Sequence, residues 1–150
     1  MTASHAARKP QILVIEDNPG DVELLRMALD SVDLDCDVIL IDDGEKAMAL
    51  IGTQQDPVSP EVPDLMVLDL NLPRSSGLDV LEAMRANEAF AFVPVAVLSS
   101  SPSARDRAKI ESYNIGIYIT KPSELEEFLK IGSILKGLLD NRKAHASSQG

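Results

Sequence analysis

Four short apolar runs punctuate this chain, and each hands over to a polar residue. Ile12-Leu13-Val14-Ile15 leads to Glu16-Asp17, and Leu65-Met66-Val67-Leu68 to Asp69. Val95-Ala96-Val97-Leu98 leads to Ser99, and Ile117-Tyr118-Ile119-Thr120 to Lys121-Pro122. Stretches with apolar residues at helical spacing lie between them: Val22, Leu25 and Leu29; Ala47, Leu50 and Ile51; Leu78, Leu81 and Met84. The pattern predicts strands over 11–16, 36–41, 64–69, 93–99 and 116–121. Helices are expected from Pro19 through Leu29 and over 45–51, 77–87, 103–113 and 124–139. Asn18 offers a cap and Pro19 a first helical residue. The stretch 53–63, with three prolines, reads as a loop, and 70–76, with Pro73, as a turn. Residues 9–140 form the predicted domain, with 1–8 and 141–150 as flexible tails.

Alternating strands and helices imply an α/β fold, a parallel sheet with helices on both faces. Short, almost wholly apolar strands suit a sheet covered on both sides. Right-handed crossovers leave few topologies, of which the flavodoxin-like five-stranded order 2-1-3-4-5 is expected. Ligands of such sheets bind beyond the carboxyl ends of the strands, at the switch point between strands 1 and 3. The acids of this chain fall there.

Composition narrows the chemistry. Acidic residues outnumber basic ones 24 to 14, for a net charge of -10, which argues against a nucleic-acid partner. Cys36 is the single cysteine, so neither an intrachain disulfide nor a multi-cysteine metal site is available. No run approaches the ~18 apolar residues of a membrane span, and 1–10 lack the apolar centre of a signal peptide. A cytoplasmic protein with no membrane partner is expected. His5 and His145 lie in polar end stretches and receive no role.

Crowded carboxylates repel, so without a cation at least one would hold its proton more tightly. Magnesium removes that penalty, and it prefers oxygen ligands. Asp17 and Asp69 are the expected direct ligands, the Asn71 carbonyl a third, and Glu16 a ligand through water. Asp69 is also a candidate nucleophile, since carboxylates form aspartyl phosphates. Lys121 supplies a point charge to a phosphoryl group and Ser99 a hydroxyl. A cis Lys121–Pro122 bond would turn the lysine inward, although only about 5–6% of X–Pro bonds in folded proteins are cis.

These residues resemble the receiver domain of two-component response regulators, over about residues 10–140. Glu16-Asp17-Asn18-Pro19-Gly20-Asp21 and Asp69-Leu70-Asn71-Leu72-Pro73-Arg74 are most similar to the single-domain regulators associated with bacterial phytochromes. The resemblance implies that Asp69 accepts a phosphoryl group from a sensor histidine kinase, with a bacteriophytochrome as the candidate. It implies that Ser99 and Lys121 contact the acyl phosphate and that Tyr118 is the switch aromatic. A phosphoacceptor that loses its phosphoryl group slowly is then expected, not a turnover enzyme. Output would pass through the surface of the fourth helix, fifth strand and closing helix. On one wheel over 124–139 the apolar residues of the closing helix span roughly 220°, where a stripe of about 100° serves one core. Gly132 and Gly137 invite a close backbone approach, so a homodimer through that surface is expected. The alternatives are a magnesium-dependent phosphohydrolase, a phosphorylation-independent scaffold and a flavin-binding protein. The flavin reading suffers from three acids in the first loop, which repel phosphate, and from the absence of Trp.

Overall fold

The computed structural model describes residues 9–53, 62–72, 76–100, 104–113 and 115–149. The elements run β1 (Gln11–Ile15), α1 (Pro19–Ser31), β2 (Asp37–Ile41), α2 (Gly44–Thr53), β3 (Leu65–Asp69) and α3 (Gly77–Ala86). They continue as β4 (Val95–Ser99), α4 (Ala104–Glu111), β5 (Ile117–Thr120), α5 (Leu125–Leu129) and α6 (Ile131–Gln149). All strand pairs are parallel, in the expected order β2-β1-β3-β4-β5. The predicted tail 1–8 and most of the predicted loop, 54–61, fall outside the described residues, as do 73–75 and 101–103.

Alternation along each strand divides the core. Leu13, Ile15, Met66, Leu68, Val95 and Val97 face α2, α3 and α4. Ile12, Val14, Leu65, Val67, Ala96 and Leu98 face α1, α5 and α6. A strand with both faces covered must be apolar at every position, which is why β1, β3 and β4 read as continuous hydrophobic runs. The edge strand departs from that expectation. In β2, Ile39 and Leu40 stay 41% and 43% exposed, because helices reach over only part of its two faces. No helix among the described residues is long and apolar enough to cross a membrane.

The closing helix differs from the single element predicted over 124–139. It is broken at Lys130, whose N–H turns back to the Glu127 carbonyl at 3.3 Å. The second piece continues to Gln149, so the backbone over 141–149 is helical where a tail is expected from the sequence. Lys130 itself keeps right-handed helical dihedrals, φ -64° and ψ -19°, so the two pieces bury one common face. Phe128, Ile131, Leu135 and Leu139 are buried against the sheet. Gly132 meets α1 of the same chain: a Cβ there would collide with the Ala28 carbonyl oxygen. Its close approach is therefore intramolecular, and Gly137, with nothing within 4 Å of a Cβ, makes none. Much of the apolar width assigned to a dimer is spent on the protein's own core.

Candidate functional site

Register carries the acids to one rim. Ile15 pairs with Leu68, so Glu16 and Asp69 are next to each other on neighbouring strands, which lie about 4.8 Å apart. Asp69 pairs with Leu98, and Ser99 with Thr120, so Ser99 and Lys121 follow on the same edge. The Lys121 N–H donates to the Ser99 carbonyl at 2.8 Å, extending the β4–β5 ladder past the strand end. No peptide bond among the described residues is cis, so Lys121–Pro122 is trans, against the inward-turning cis bond considered from sequence.

The centre of the site is one ammonium among three carboxylates. Lys121 Nζ donates to Asp21 Oδ2 at 2.7 Å, to Glu16 Oε2 at 3.0 Å and to Asp69 Oδ2 at 3.0 Å. Glu16 and Asp69 are buried, while Asp17 is exposed. One carboxylate oxygen from each of Glu16, Asp17 and Asp69 lies within 4.8 Å of the others. The other oxygens of Glu16 and Asp69 are held by backbone: Asn18 N–H donates to Glu16 Oε1 at 3.0 Å, and Asn71 N–H to Asp69 Oδ1 at 2.9 Å. That second bond fixes Asn71 directly beside the acid.

Local structure on either side is equally determined. Asn18 Oδ1 accepts from Gly20 N–H at 2.8 Å and Asp21 N–H at 3.2 Å, capping α1. Such a cap is worth ~1 kcal/mol, and it sets the first turn so that Asp21 reaches the lysine. Behind Asp69, α3 starts at Gly77, capped by Ser76 Oγ accepting from Asp79 N–H. A Cβ on Gly77 would sit 2.6 Å from Leu70 Cα and 2.8 Å from the Asp69 carbonyl oxygen. Only glycine lets the helix start so near the acid.

Electrostatics follow the geometry. Burial, with the Asp69 carboxylate alongside, pushes Glu16 up to about 7, against the opposing pull of the Asn18 N–H and of Lys121. Thus one of the crowded carboxylates does hold its proton more tightly. Burial alone would depress Lys121, but its hydrogen bonds to Asp21, Glu16 and Asp69 outweigh that and raise it. The lysine remains charged throughout the physiological range.

The structure brings together Glu16, Asp17, Asp69, Asn71, Ser99 and Lys121. Ser99 is buried at the end of β4. Tyr118 stands apart from the acids, packed on the face covered by α2, α3 and α4. Its hydroxyl is buried without a hydrogen-bond partner among the described residues, and the Arg107 guanidinium lies 5.1 Å from its ring centre. Asp21 is the site residue that the sequence reading missed. The available signal was an acid at the third helical position behind an Asn-Pro cap, immediately after a strand that ends in the site.

A hard divalent cation fits this donor set. It consists of carboxylate oxygens clustered within one coordination sphere's reach, one of them exposed to solvent.

Comparison with known proteins agrees with this geometry. The family profile described as "Response regulator receiver domain" matches residues 12–132. Response regulator Rcp1 of Synechocystis sp. is 32% identical over 120 residues, covering 80% of this chain and 82% of Rcp1. The structure of the phosphorylated cyanobacterial phytochrome response regulator RcpA superposes with a TM-score of 0.79 at 30% identity, over 89% of this chain and 96% of that one. The bacteriophytochrome response regulator RtBRR superposes with a TM-score of 0.70 at 30% identity, over 88% and 78%.

Proposed function

This chain belongs to the response regulator receiver domain family of two-component systems, and on that premise we propose that it is a phosphoacceptor switch whose acceptor is Asp69. The observation that carries the reading is the Asp69 carboxylate itself. It is buried at the strand end, 3.0 Å from a charged lysine and in one cluster with two further acids. The phosphoryl group would come from a phosphohistidine of a sensor kinase. Relatives of this chain named as phytochrome regulators make a bacteriophytochrome the kinase to test first. The reaction takes place in the cytoplasm on this reading.

A carboxylate oxygen of Asp69 attacks phosphorus as the bond to the donor breaks, and the electron pair of that bond leaves with the donor. The Asn71 N–H on Oδ1 fixes the carboxylate's orientation. Lys121, already at Oδ2, meets the transferred charge with a full positive charge in a site partly shielded from water. Ser99 donates its hydroxyl to a phosphoryl oxygen. Glu16, Asp17 and Asp69, with the Asn71 carbonyl, would hold magnesium, which when bound neutralises charge on the transferring oxygens. That Rcp1 has a structure in an Mn(2+)-bound form supports a divalent cation as a ligand of this chain as well.

Phosphorylation adds about -1.5 to -2 charge and three acceptor oxygens. Ser99 and Lys121 then turn toward the new group, and Tyr118 fills the space behind. The surface of α4, β5 and α5 changes with it, a population shift driven by contacts made in only one state. Its half-exposed Leu125 supports docking of a partner or a second copy there. Light scattering of the phosphorylated and unphosphorylated protein tests the second copy, and a monomer in both states refutes it.

Incubation with acetyl phosphate and magnesium, followed by intact mass, tests the acceptor. One phosphoryl group per chain is expected, and none on Asp69→Asn. Labelling of that variant at the same site refutes the assignment. Continuous hydrolysis of phosphate esters at many turnovers would favour a phosphohydrolase.

A further inference from the structure

Lys121 has three N–H donors and all three are used. To hydrogen-bond a phosphoryl oxygen, the ammonium must release one of its present acceptors. The three are not equally easy to leave. Glu16 is buried to 1% exposure, so a lost partner would not be replaced by water. Asp69 is the group that receives the phosphoryl, so the lysine must remain beside it. Asp21 has a side chain 22% exposed, able to take up water when released, and it nevertheless holds the shortest of the three contacts, 2.7 Å. Its position comes from α1 and its Asn18 cap rather than from the sheet, so its carboxylate enters the site from outside the strand rim.

We propose that Asp21 is a positioning residue that competes with the incoming phosphoryl group for Lys121 and so restrains phosphoryl uptake. This rests on the phosphoacceptor reading of Asp69. Before transfer, Asp21 occupies one N–H donor of an ammonium that stays beside Asp69, and it adds one negative charge to a cluster that must admit an anion. After transfer, the ammonium moves to the phosphoryl oxygens and the Asp21 carboxylate is solvated. Asp21 touches no reacting atom in this scheme, since it acts only through the lysine. Its effect therefore differs in sign from that of Asp69 or Lys121: removing it strengthens anion binding.

The test compares the full-length protein with Asp21→Asn, Asp21→Glu and Asp21→Ser. Calorimetry measures beryllofluoride binding in the presence of magnesium, and intact mass follows phosphoryl uptake from acetyl phosphate. Loss of one competing charge-assisted bond at a partly exposed group predicts roughly fivefold tighter beryllofluoride binding and a similar rise in uptake rate for Asp21→Asn. Asp21→Ser should follow it, and Asp21→Glu, which restores the charge, should return toward the wild type. Circular dichroism and thermal midpoint verify folding of each variant. A purely structural role would lower stability and weaken both readouts together. Unchanged or weaker binding in folded Asp21→Asn and Asp21→Ser, with an active wild type, overturns the proposal and leaves Asp69 as acceptor. A wild type that takes up neither probe overturns the phosphoacceptor reading and this inference with it.

Discussion

Replacing Lys121 by Met keeps an unbranched side chain of similar length and deletes the ammonium. The ammonium compensates carboxylates at 2.7, 3.0 and 3.0 Å, two of them less than 5% exposed. Removing one member of a buried ion pair costs about 3–5 kcal/mol, because the remaining charge is stranded. The low end applies here, since the Asp21 carboxylate escapes into water and Glu16 is already pushed up to about 7 and takes a proton. A loss of about 3 kcal/mol at pH 8 is therefore expected, and it should vary with pH. A carboxyl group raised in the folded state binds more protons there than when unfolded. Its stabilising contribution is complete below its ordinary range, near 4.5, and is lost as pH rises to the folded value. In the wild type that decline spans pH 4.5 to about 7. In Lys121→Met it extends higher, so the deficit relative to wild type should shrink to less than half at pH 5. Magnesium should recover part of it at pH 8, since binding only the folded form at 100 times its dissociation constant adds ~2.7 kcal/mol. Urea unfolding at both pH values, with and without magnesium, measures all of this. An equal deficit at pH 5 and pH 8, untouched by magnesium, would refute the electrostatic account and assign the loss to packing of the lysine stem.

Magnesium should compete with the Glu16 proton. With that group at about 7, affinity should rise about tenfold from pH 6 to pH 8, and Glu16→Gln should flatten the profile in calorimetry. The two glycines of α6 should answer to alanine with opposite sign. At Gly132 the new methyl meets the Ala28 backbone, and relieving such overpacking costs about 1–3 kcal/mol. At Gly137 the space is open, and helix propensity should add up to about 1 kcal/mol, or roughly 2–4 °C in thermal midpoint. A Gly132→Ala protein as stable as Gly137→Ala would mean that α1 and α6 do not approach as described.

Much of the fold was written locally. Strands covered on both faces cannot alternate, so β1, β3 and β4 announce themselves as apolar runs, and Asn18-Pro19 announces α1. Because a parallel sheet aligns its carboxyl ends, Glu16, Asp17, Asp69, Ser99 and Lys121 could be assigned to one rim before their distances were known. Other features needed the third dimension. The break at Lys130 is a small backbone turn inside an unbroken apolar pattern, and no residue there signals it as proline would. Gly132 looks like Gly137 in sequence, and only the crossing of α1 over α6 separates them. Asp21 reads as an ordinary helix-start acid, because the lysine it holds is a hundred residues away. Which chemical groups the protein has, and which strand ends bear them, can be read from the order of residues, since periodicity and capping act over a few positions. Who shares the lysine, and which glycine must stay a glycine, emerges only on folding, because both depend on distances between elements that no local pattern encodes.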